Sequence, residues 1–273
     1  MSKKLSMGDS IIRPGADRQE DIMAPLALVH GNPETPAVWD HLAPSLEAAG
    51  RNPVRLSPPG FGAAVPPDFQ VTPAGYRNWL IGELERFGEP ADVIGHDWGG
   101  VFVIMAVIGR PDLIRSWASD AVGLLHPGYV WHQFAQTWQT PQAGEAWVKG
   151  VLEAPRSELA SLLASIGMAA PVADRVAPGF DAATGRCILA LYRAARQPVM
   201  AEMGRNLSAA ARRPGLGIIA RGDDNVGTLA QRQEACRTAG AAAVEIDAGH
   251  WWMTGGDQDA ILSALTDLWT RRG

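Results

Sequence analysis

The fold is decided by Gly95-His96-Asp97-Trp98-Gly99-Gly100, a stretch between an apolar strand-like segment and an apolar helix-like segment. Glycines at 95 and 99 flank Asp97 at the spacing of a nucleophile elbow, a sharp strand-to-helix turn. Such a turn crowds the backbone two positions to either side, so only glycine-sized residues fit there. The central side chain is pushed into the site.

An aspartate at this position predicts a different reaction from a serine. A carboxylate with an ordinary pKa near ~4 is already ionised at neutral pH and can attack without help from a base. It attacks best at saturated carbon. Asp97 therefore predicts displacement of a leaving group from an sp3 carbon, followed by hydrolysis of the alkyl ester left on its side chain.

The composition limits the class of protein. A chain of 273 residues suits one large α/β domain with an inserted segment. A net charge of -5 gives no basic stripe for nucleic acid and no polybasic patch for a membrane, so we expect a small-molecule substrate. Cys187 and Cys236 do not form a metal-type spacing, and we expect ordinary thiols and no metal site.

Targeting signals are weak. The first residues carry positive charge but lack the apolar core of a secretory signal. The longest aliphatic run, 101–108, is far below the ~20 residues needed to cross a bilayer. We expect a soluble, cytoplasmic protein that is a monomer or a homodimer.

Short stretches rich in Val, Ile and Leu alternate with longer helical patterns, which is typical of α/β folds with a buried parallel sheet. The predicted strands are 26–30, 53–57, 92–95, 116–120, 216–221 and 244–247. The predicted helices are 37–49, 74–87, 99–109, 228–239 and 257–271.

One interval breaks this alternation. Residues 123–211 are helical in pattern, with Pro and Gly punctuation, and contain no convincing strand. We interpret them as a helical cap between a first part of the catalytic core (1–122) and a second part (212–273), because ligand sites lie outside the carboxyl ends of strands. Extra helices packed away from any site are the alternative.

An ester on Asp97 needs a base to activate water, and the base needs an orienting acid. His250 is the best base, since it follows a predicted strand directly and so lies at the carboxyl end of the sheet. Asp223, at the end of the preceding strand, is the favoured acid. Asp120 and Asp224 stay open as alternatives, and an aspartate in such a turn is often only solvated.

The segment His30-Gly31-Asn32-Pro33 follows the first predicted strand. A loop there would place a backbone N–H opposite the elbow. Together with the N–H of Trp98, the Asn32 segment would form an oxyanion hole for hydrolysis of the ester.

These segments resemble the aspartate-nucleophile branch of the α/β-hydrolase superfamily, which includes haloalkane dehalogenases, epoxide hydrolases and fluoroacetate dehalogenases. The resemblance rests on four motifs in the order and spacing of that branch. They are His-Gly-Asn-Pro at 30–33, Ser-Pro-Pro-Gly-Phe-Gly at 57–62, the elbow at 95–100, and Ala-Gly-His at 248–250. It implies a mostly parallel, eight-stranded sheet with an inserted helical cap, and no cofactor.

The resemblance also implies a leaving group. Asn32 and Trp98 match the halide-binding asparagine and tryptophan of haloalkane dehalogenases, whereas epoxide hydrolases usually carry an aromatic residue in place of Asn32. A halide needs only hydrogen-bond donors, but an opening epoxide yields an alkoxide that must receive a proton. The predicted function is therefore halide displacement from small haloalkanes.

The residues of the predicted cap do not distinguish clearly between the haloalkane and epoxide reactions. Trp131 stands where epoxide hydrolases carry their first tyrosine and fluoroacetate dehalogenases a halide-contacting tryptophan, and Tyr192 looks like the second tyrosine. We predict both as leaving-group residues, although simple packing is the alternative for each. Fluoroacetate specificity would need arginines after the elbow, where this chain has Val101-Phe102-Val103, so we expect a neutral substrate.

Two other functions remain open from sequence. One is epoxide hydrolysis to a vicinal diol, with Tyr192 as the acid, alone or with Tyr129. The other is a small-molecule-binding protein with an idle site, since a fold does not guarantee chemistry.

Overall fold

The computed structural model describes residues 24–255 and 258–270 of the 273-residue chain. In this part of the chain, six parallel strands form one sheet in the order β2-β1-β3-β4-β5-β6. The strands are β1 (Leu26–Val29), β2 (Pro53–Leu56), β3 (Ala91–Gly95), β4 (Ile114–Ser119), β5 (Gly215–Ala220) and β6 (Ala242–Ile246). Their carboxyl ends all meet at one edge, because every pairing is parallel.

Helices connect the strands and cover the sheet. Those outside the β4–β5 interval are α1 (Ala43–Ala48), α2 (Pro73–Glu85), α3 (Trp98–Gly109), α10 (Leu229–Thr238) and α11 (Gln258–Thr270). Between β4 and β5 lie α4 (Gln133–Gln139), α5 (Ala143–Glu153), α6 (Arg156–Ser165), α7 (Ala170–Val176), α8 (Ala182–Ala194) and α9 (Val199–Gly204). This helical segment occupies the interval where the sequence pattern had predicted a cap.

The six strands predicted from the residues are all present, each with bounds shifted by a few residues. The eight-stranded sheet expected from the resemblance is wrong for the described residues, which form six strands. The expectation of eight strands came from the family resemblance alone, because only six stretches of the sequence have a strand pattern.

The predicted helix over 37–49 is divided. A 3-10 turn covers Pro36–Trp39 and α1 begins at Ala43, because Pro44 has no N–H to donate and fits only in a first turn. For the predicted helix over 257–271, residues 257 and 271 lie outside the described residues.

The core explains why the elbow is so well fixed. Every residue of β1 and of β3 is buried, as expected for central strands of a parallel sheet covered on both faces. Helix α3 is apolar on nearly all sides, and its first nine described positions include only one that is not fully buried. A strand and a helix that are both buried in the core therefore meet at Asp97.

Within the described residues, no helix combines the length and apolar character needed to cross a bilayer.

Candidate active site

The turn at Asp97 has the geometry of a nucleophile elbow. Asp97 adopts φ 50° and ψ -125°, a positive φ that non-glycine residues rarely adopt. A Cβ at Gly95 would lie 2.5 Å from the Cα of Gly100, and one at Gly99 would lie 2.2 Å from the carbonyl oxygen of Val29. Both positions therefore require glycine, as the sequence pattern predicted.

The Asp97 carboxylate lies against the loop that follows β1. The backbone N–H of Asn32 donates to Asp97 Oδ2 at 3.1 Å. A Cβ at Gly31 would lie 2.2 Å from the same oxygen, so the loop can approach the Asp97 carboxylate this closely only with glycine at position 31.

Burial shapes the acidity of this group. Only 7% of Asp97 is exposed. Desolvation raises the pKa of Asp97 to about 6, although His250 favours the charged form and Glu34 opposes it. The backbone N–H of Trp98 also lowers the pKa, which indicates that it faces the carboxylate as the predicted second donor.

His250 and Asp223 form a buried pair at the carboxyl ends of β6 and β5. His250 Nδ1 lies 2.9 Å from Asp223 Oδ2, and the N–H of Asn225 holds the other Asp223 oxygen at 2.8 Å. Burial opposes charge on both groups, but their mutual attraction outweighs it. It raises the pKa of His250 to about 9 and lowers the pKa of Asp223 to about 2.

The two alternative acids lie elsewhere. Asp120 is buried, but its oxygens accept hydrogen bonds from the N–H of Asp97 (2.9 Å), the Trp252 indole (2.6 Å) and His96 (2.5 Å). Asp224 is exposed and lines the mouth of the cavity. The structure thus brings Asp223, and neither alternative, to His250.

Unpartnered hydrogen-bond donors lie beside Asp97. Among the described residues, Asn32 Nδ2 and Trp98 Nε1 are buried side-chain nitrogens without an acceptor at hydrogen-bond geometry. The Trp98 indole nevertheless faces the Tyr192 hydroxyl and lowers the pKa of that group, against the larger opposite effect of burial. The Tyr192 hydroxyl lies 3.5 Å from Asn32 Oδ1, and the Tyr192 ring stands edge-on to the Trp98 ring at 5.6 Å. Three polar groups therefore converge at one point of the site.

Trp131 and Tyr129 are placed differently. Trp131 stacks on Trp98 with ring centroids 5.8 Å apart, but its indole N–H donates to the carbonyl of Ala195 at 3.2 Å. The Tyr129 hydroxyl donates to the carbonyl of Asn225 at 2.7 Å. The polar hydrogens of both side chains are therefore already engaged, and the leaving-group role predicted for Trp131 finds no free N–H.

A cavity of about 300 Å³ opens above Asp97 and His250 and extends into the helical segment. Its far walls are apolar: Phe134, Trp138, Trp147, Leu159, Leu163 and Ile166. Among the described residues lining it, none is Lys or Arg. His132 also lines it, and burial lowers the pKa of His132 to about 4, so this ring is neutral at physiological pH.

Sequence reasoning missed two buried residues beneath the site. His96 lies between Glu34 and Asp120, which bond its Nε2 (2.9 Å) and Nδ1 (2.5 Å). Burial opposes protonation, but these two carboxylates raise the pKa of His96 well above its usual value. The sequence offered only a weak signal for this pair: Glu34 stands three positions after Gly31, and His96 lies within the elbow.

The same residues form a grouping that could surround a metal ion. Ligand atoms of Glu34, His96 and His250 lie within 4.8 Å of one another in the described part of the chain. However, a doubly protonated His96 has no lone pair to offer, so this grouping suits ion pairing better than metal binding.

A comparison with known families decides the membership of the chain. The sequence profile of the alpha/beta hydrolase family matches residues 26–264. The chain belongs to the alpha/beta hydrolase family. This agrees with the parallel sheet, the elbow and the order of Asp97, Asp223 and His250 along the chain.

Curated relatives of this alpha/beta hydrolase match over shorter stretches. Bifunctional epoxide hydrolase 2 of Rattus norvegicus is 32% identical over 109 residues, which are 37% of this chain and 19% of the relative. Epoxide hydrolase B of Mycobacterium tuberculosis is 37% identical over 90 residues, which are 31% of this chain and 25% of the relative. The chain thus spans a quarter or less of the length of these relatives.

Solved structures resemble it over most of its length. A candidate epoxide hydrolase from Pseudomonas aeruginosa has a TM-score of 0.69 at 21% identity and covers 89% of this chain and 87% of its own. Haloalkane dehalogenase DbeA from Bradyrhizobium elkani has a TM-score of 0.66 at 18% identity and covers 91% and 90%. At such identities the likeness shows the fold alone.

Proposed function

We propose that this alpha/beta hydrolase uses Asp97 as a nucleophile and cleaves carbon–halogen bonds of small neutral haloalkanes, giving an alcohol and a halide. In the first step, the Asp97 oxygen that Asn32 does not hold attacks the carbon. The carbon–halogen bond breaks and its electron pair leaves with the halide. The product is an alkyl ester on Asp97.

In the second step, His250 takes a proton from water, and the hydroxide attacks the ester carbonyl carbon of Asp97. The N–H groups of Asn32 and Trp98 stabilise the oxyanion that forms. Collapse expels the alkoxide, which takes the proton back from His250 and leaves as the alcohol. The carboxyl group that remains on Asp97 holds one solvent oxygen and loses its proton to water. Asp223 orients His250 and stabilises its charged form.

Formation of the ester also prepares His250 for its task. The negative charge of Asp97 contributes to the raised pKa of His250. Alkylation removes that charge, so the pKa of His250 falls and the neutral imidazole is more populated, although Asp223 has the larger effect and still raises this pKa.

The observation that carries the halide assignment is the pair of unpartnered donors, Asn32 Nδ2 and Trp98 Nε1. A buried N–H without an acceptor is costly, and a departing anion supplies the missing acceptor. The apolar far walls and the absence of Lys and Arg among the described lining residues favour a neutral substrate over a carboxylate.

The mechanism is tested by trapping the ester. In the His250→Gln variant, a haloalkane should add the mass of its alkyl group to the peptide that contains Asp97. In the Asp97→Asn variant, no such adduct should form. If a His250→Gln variant folds and is inactive, but carries no adduct with haloalkanes that the unsubstituted enzyme turns over, the covalent mechanism is wrong.

Epoxide hydrolysis is the second candidate, because the Tyr192 hydroxyl lies at the same point as Asn32 and Trp98, and the curated relatives carry that name. Asp97 would attack the epoxide carbon, the carbon–oxygen bond would break, and Tyr192 would give its proton to the alkoxide. Burial raises the pKa of Tyr192 well above its usual value, so the hydroxyl is protonated and can donate.

Parallel assays of halide release and diol formation separate these reactions. If the chain is a dehalogenase, Trp98→Phe should impair halide release strongly and Tyr192→Phe only mildly. If it is an epoxide hydrolase, Tyr192→Phe should abolish diol formation. Tyr129→Phe is the matched control, because that hydroxyl is engaged with the Asn225 carbonyl.

A further inference from the structure

Two buried carboxylates hold the backbone on either side of the oxyanion hole. Glu34 Oε2 accepts from the N–H of Gly31 at 3.0 Å, and Asp120 Oδ1 accepts from the N–H of Asp97 at 2.9 Å. Gly31 directly precedes Asn32, and Asp97 directly precedes Trp98. Each carboxylate therefore fixes the peptide next to one of the two oxyanion-hole donors.

His96 joins these carboxylates. Its Nε2 lies 2.9 Å from the second oxygen of Glu34, and its Nδ1 lies 2.5 Å from the second oxygen of Asp120. His96 is completely buried, Glu34 is 1% exposed and Asp120 is 4% exposed. Because both ring nitrogens face carboxylates, the ring carries both protons and donates in both directions.

The anchored positions are the ones where the backbone has most need of support. Peptide units are planar, so each oxyanion-hole N–H is linked to its anchored neighbour by a single pair of φ and ψ angles. On one side these angles belong to Gly31, a residue type that restricts them least. On the other side they belong to Asp97, at φ 50°. Without anchors, both donors could turn away from the carboxylate.

Stability alone is a weak reason for such an arrangement. A buried set of ion pairs is often no more stabilising than apolar side chains of the same volume, because the desolvation of the charges offsets their attraction. The fixed geometry that the charges impose is a stronger reason at this place.

We propose that His96 is a positioning residue that couples the two halves of the oxyanion hole, and that it acts through Glu34 and Asp120 on hydrolysis of the ester. This inference rests on the proposed function. Ester formation consumes negative charge on Asp97, whereas ester hydrolysis creates an oxyanion that both N–H groups must reach together. Loss of the coupling therefore slows the second step selectively.

The test measures how much enzyme is present as ester during turnover. His96→Asn can reach Asp120 but not Glu34, and His96→Gln can reach Glu34 but not Asp120, so each variant breaks the bridge. We expect the rate of ester hydrolysis to fall about 10-fold or more, by analogy with loss of an oxyanion donor. The rate of ester formation in a single turnover should change far less, and intact mass should show accumulated ester.

Trp252→Phe is the matched control. The Trp252 indole donates to the same Asp120 oxygen as His96, at 2.6 Å, but it does not touch Glu34. We expect this variant to lose thermal stability without a change in the fraction of ester. A purely structural role of His96 would give the same pattern in the His96 variants and would overturn the inference.

Glu34→Gln decides the matter if the His96 variants do not fold. The carboxylate of Glu34 accepts from Gly31, His96 and Trp251, whereas the NH2 of an amide would face at least one of these donors. Ester should accumulate in this variant too, and an unchanged fraction would contradict the coupling. If His250→Gln yields no ester at all, the proposed function fails and this inference fails with it. If His250→Gln traps the ester but the His96 and Glu34 variants show an unchanged fraction of ester, only this inference fails.

Discussion

His250 Nδ1 lies 2.9 Å from Asp223 Oδ2, while the equally buried Asp120 bonds His96 at the other side of Asp97. Two carboxylates at neighbouring strand ends thus serve two different histidines. Their geometry assigns Asp223 to the proposed base, and it places Asp120 against the backbone N–H of Asp97, the proposed nucleophile.

Asp223→Asn should therefore slow ester hydrolysis by about 10³-fold or more, because the imidazole loses both its orientation and the stabilisation of its charged form. Ester formation in the first turnover should persist, and alkyl-enzyme should accumulate. Asp224→Asn provides the comparison, since this side chain is exposed and His250 bonds its neighbour Asp223 instead. Equal effects of the two substitutions on ester hydrolysis would contradict the assignment.

Much of this site could be predicted from local sequence. Gly95, Asp97 and Gly99 define the elbow because glycine is needed at both flanking positions, and that requirement is visible in the sequence. His250 could be placed because it directly follows a strand pattern. Asp223 and Asp120 could not be separated, since both follow strands and only the packing of distant segments decides which carboxylate meets which histidine.

Other features depended on contacts that the sequence does not reveal. The Trp131 indole bonds Ala195, which is 64 residues further along the chain. Glu34 reaches His96 over a separation of 62 residues. Neither distance leaves a local pattern, so the first residue was predicted with a role for which its N–H is not free, and the second was not predicted at all.

The pH dependence of the two steps should differ. Attack requires ionised Asp97, whose pKa is about 6, so leaving-group release in the first turnover should fall as the pH is lowered through 6. Ester hydrolysis requires neutral His250, so it should rise with pH over a range below about 9. Rapid-mixing measurements of the burst and of steady-state turnover check both limits. A burst that is constant from about pH 5 to about pH 8 would contradict the burial argument.

Trp131→Phe should affect the leaving group much less than Trp98→Phe. The Trp131 N–H is engaged with Ala195, so its loss should cost on the order of 1 kcal/mol of stability through one hydrogen bond. Trp98 has a buried N–H beside Tyr192 with no acceptor at hydrogen-bond geometry in the described residues, and we expect it to donate to a halide. Halide inhibition constants of the two variants give the comparison, and a larger loss of halide affinity in Trp131→Phe would reverse these roles.

Gly31→Ala should abolish activity in a protein that still folds or is only moderately destabilised. The added methyl group would lie 2.2 Å from Asp97 Oδ2, so either the carboxylate or the Asn32 N–H must move. Gly82→Ala, in the middle of α2, is the matched control because a Cβ there meets nothing within 4 Å. That change should stabilise the protein by about 0.5–1 kcal/mol and leave turnover intact. Retained activity in Gly31→Ala would show that the loop can yield.

Asp97→Asn should make the protein more stable at neutral pH while abolishing turnover. The pKa of Asp97 is raised from 3.8 to about 6. Above pH 6 the carboxylate is therefore charged in both states, but it is poorly solvated in the folded state and fully solvated in the unfolded chain. The substitution removes this penalty, on the order of 1–3 kcal/mol, and asparagine tolerates the positive φ. Below about pH 4 the carboxyl is protonated in both states, so the difference in unfolding free energy between the variant and the original chain should shrink. Urea unfolding at both pH values measures this difference, and a gain that is equal at both would show that the buried charge is not its cause.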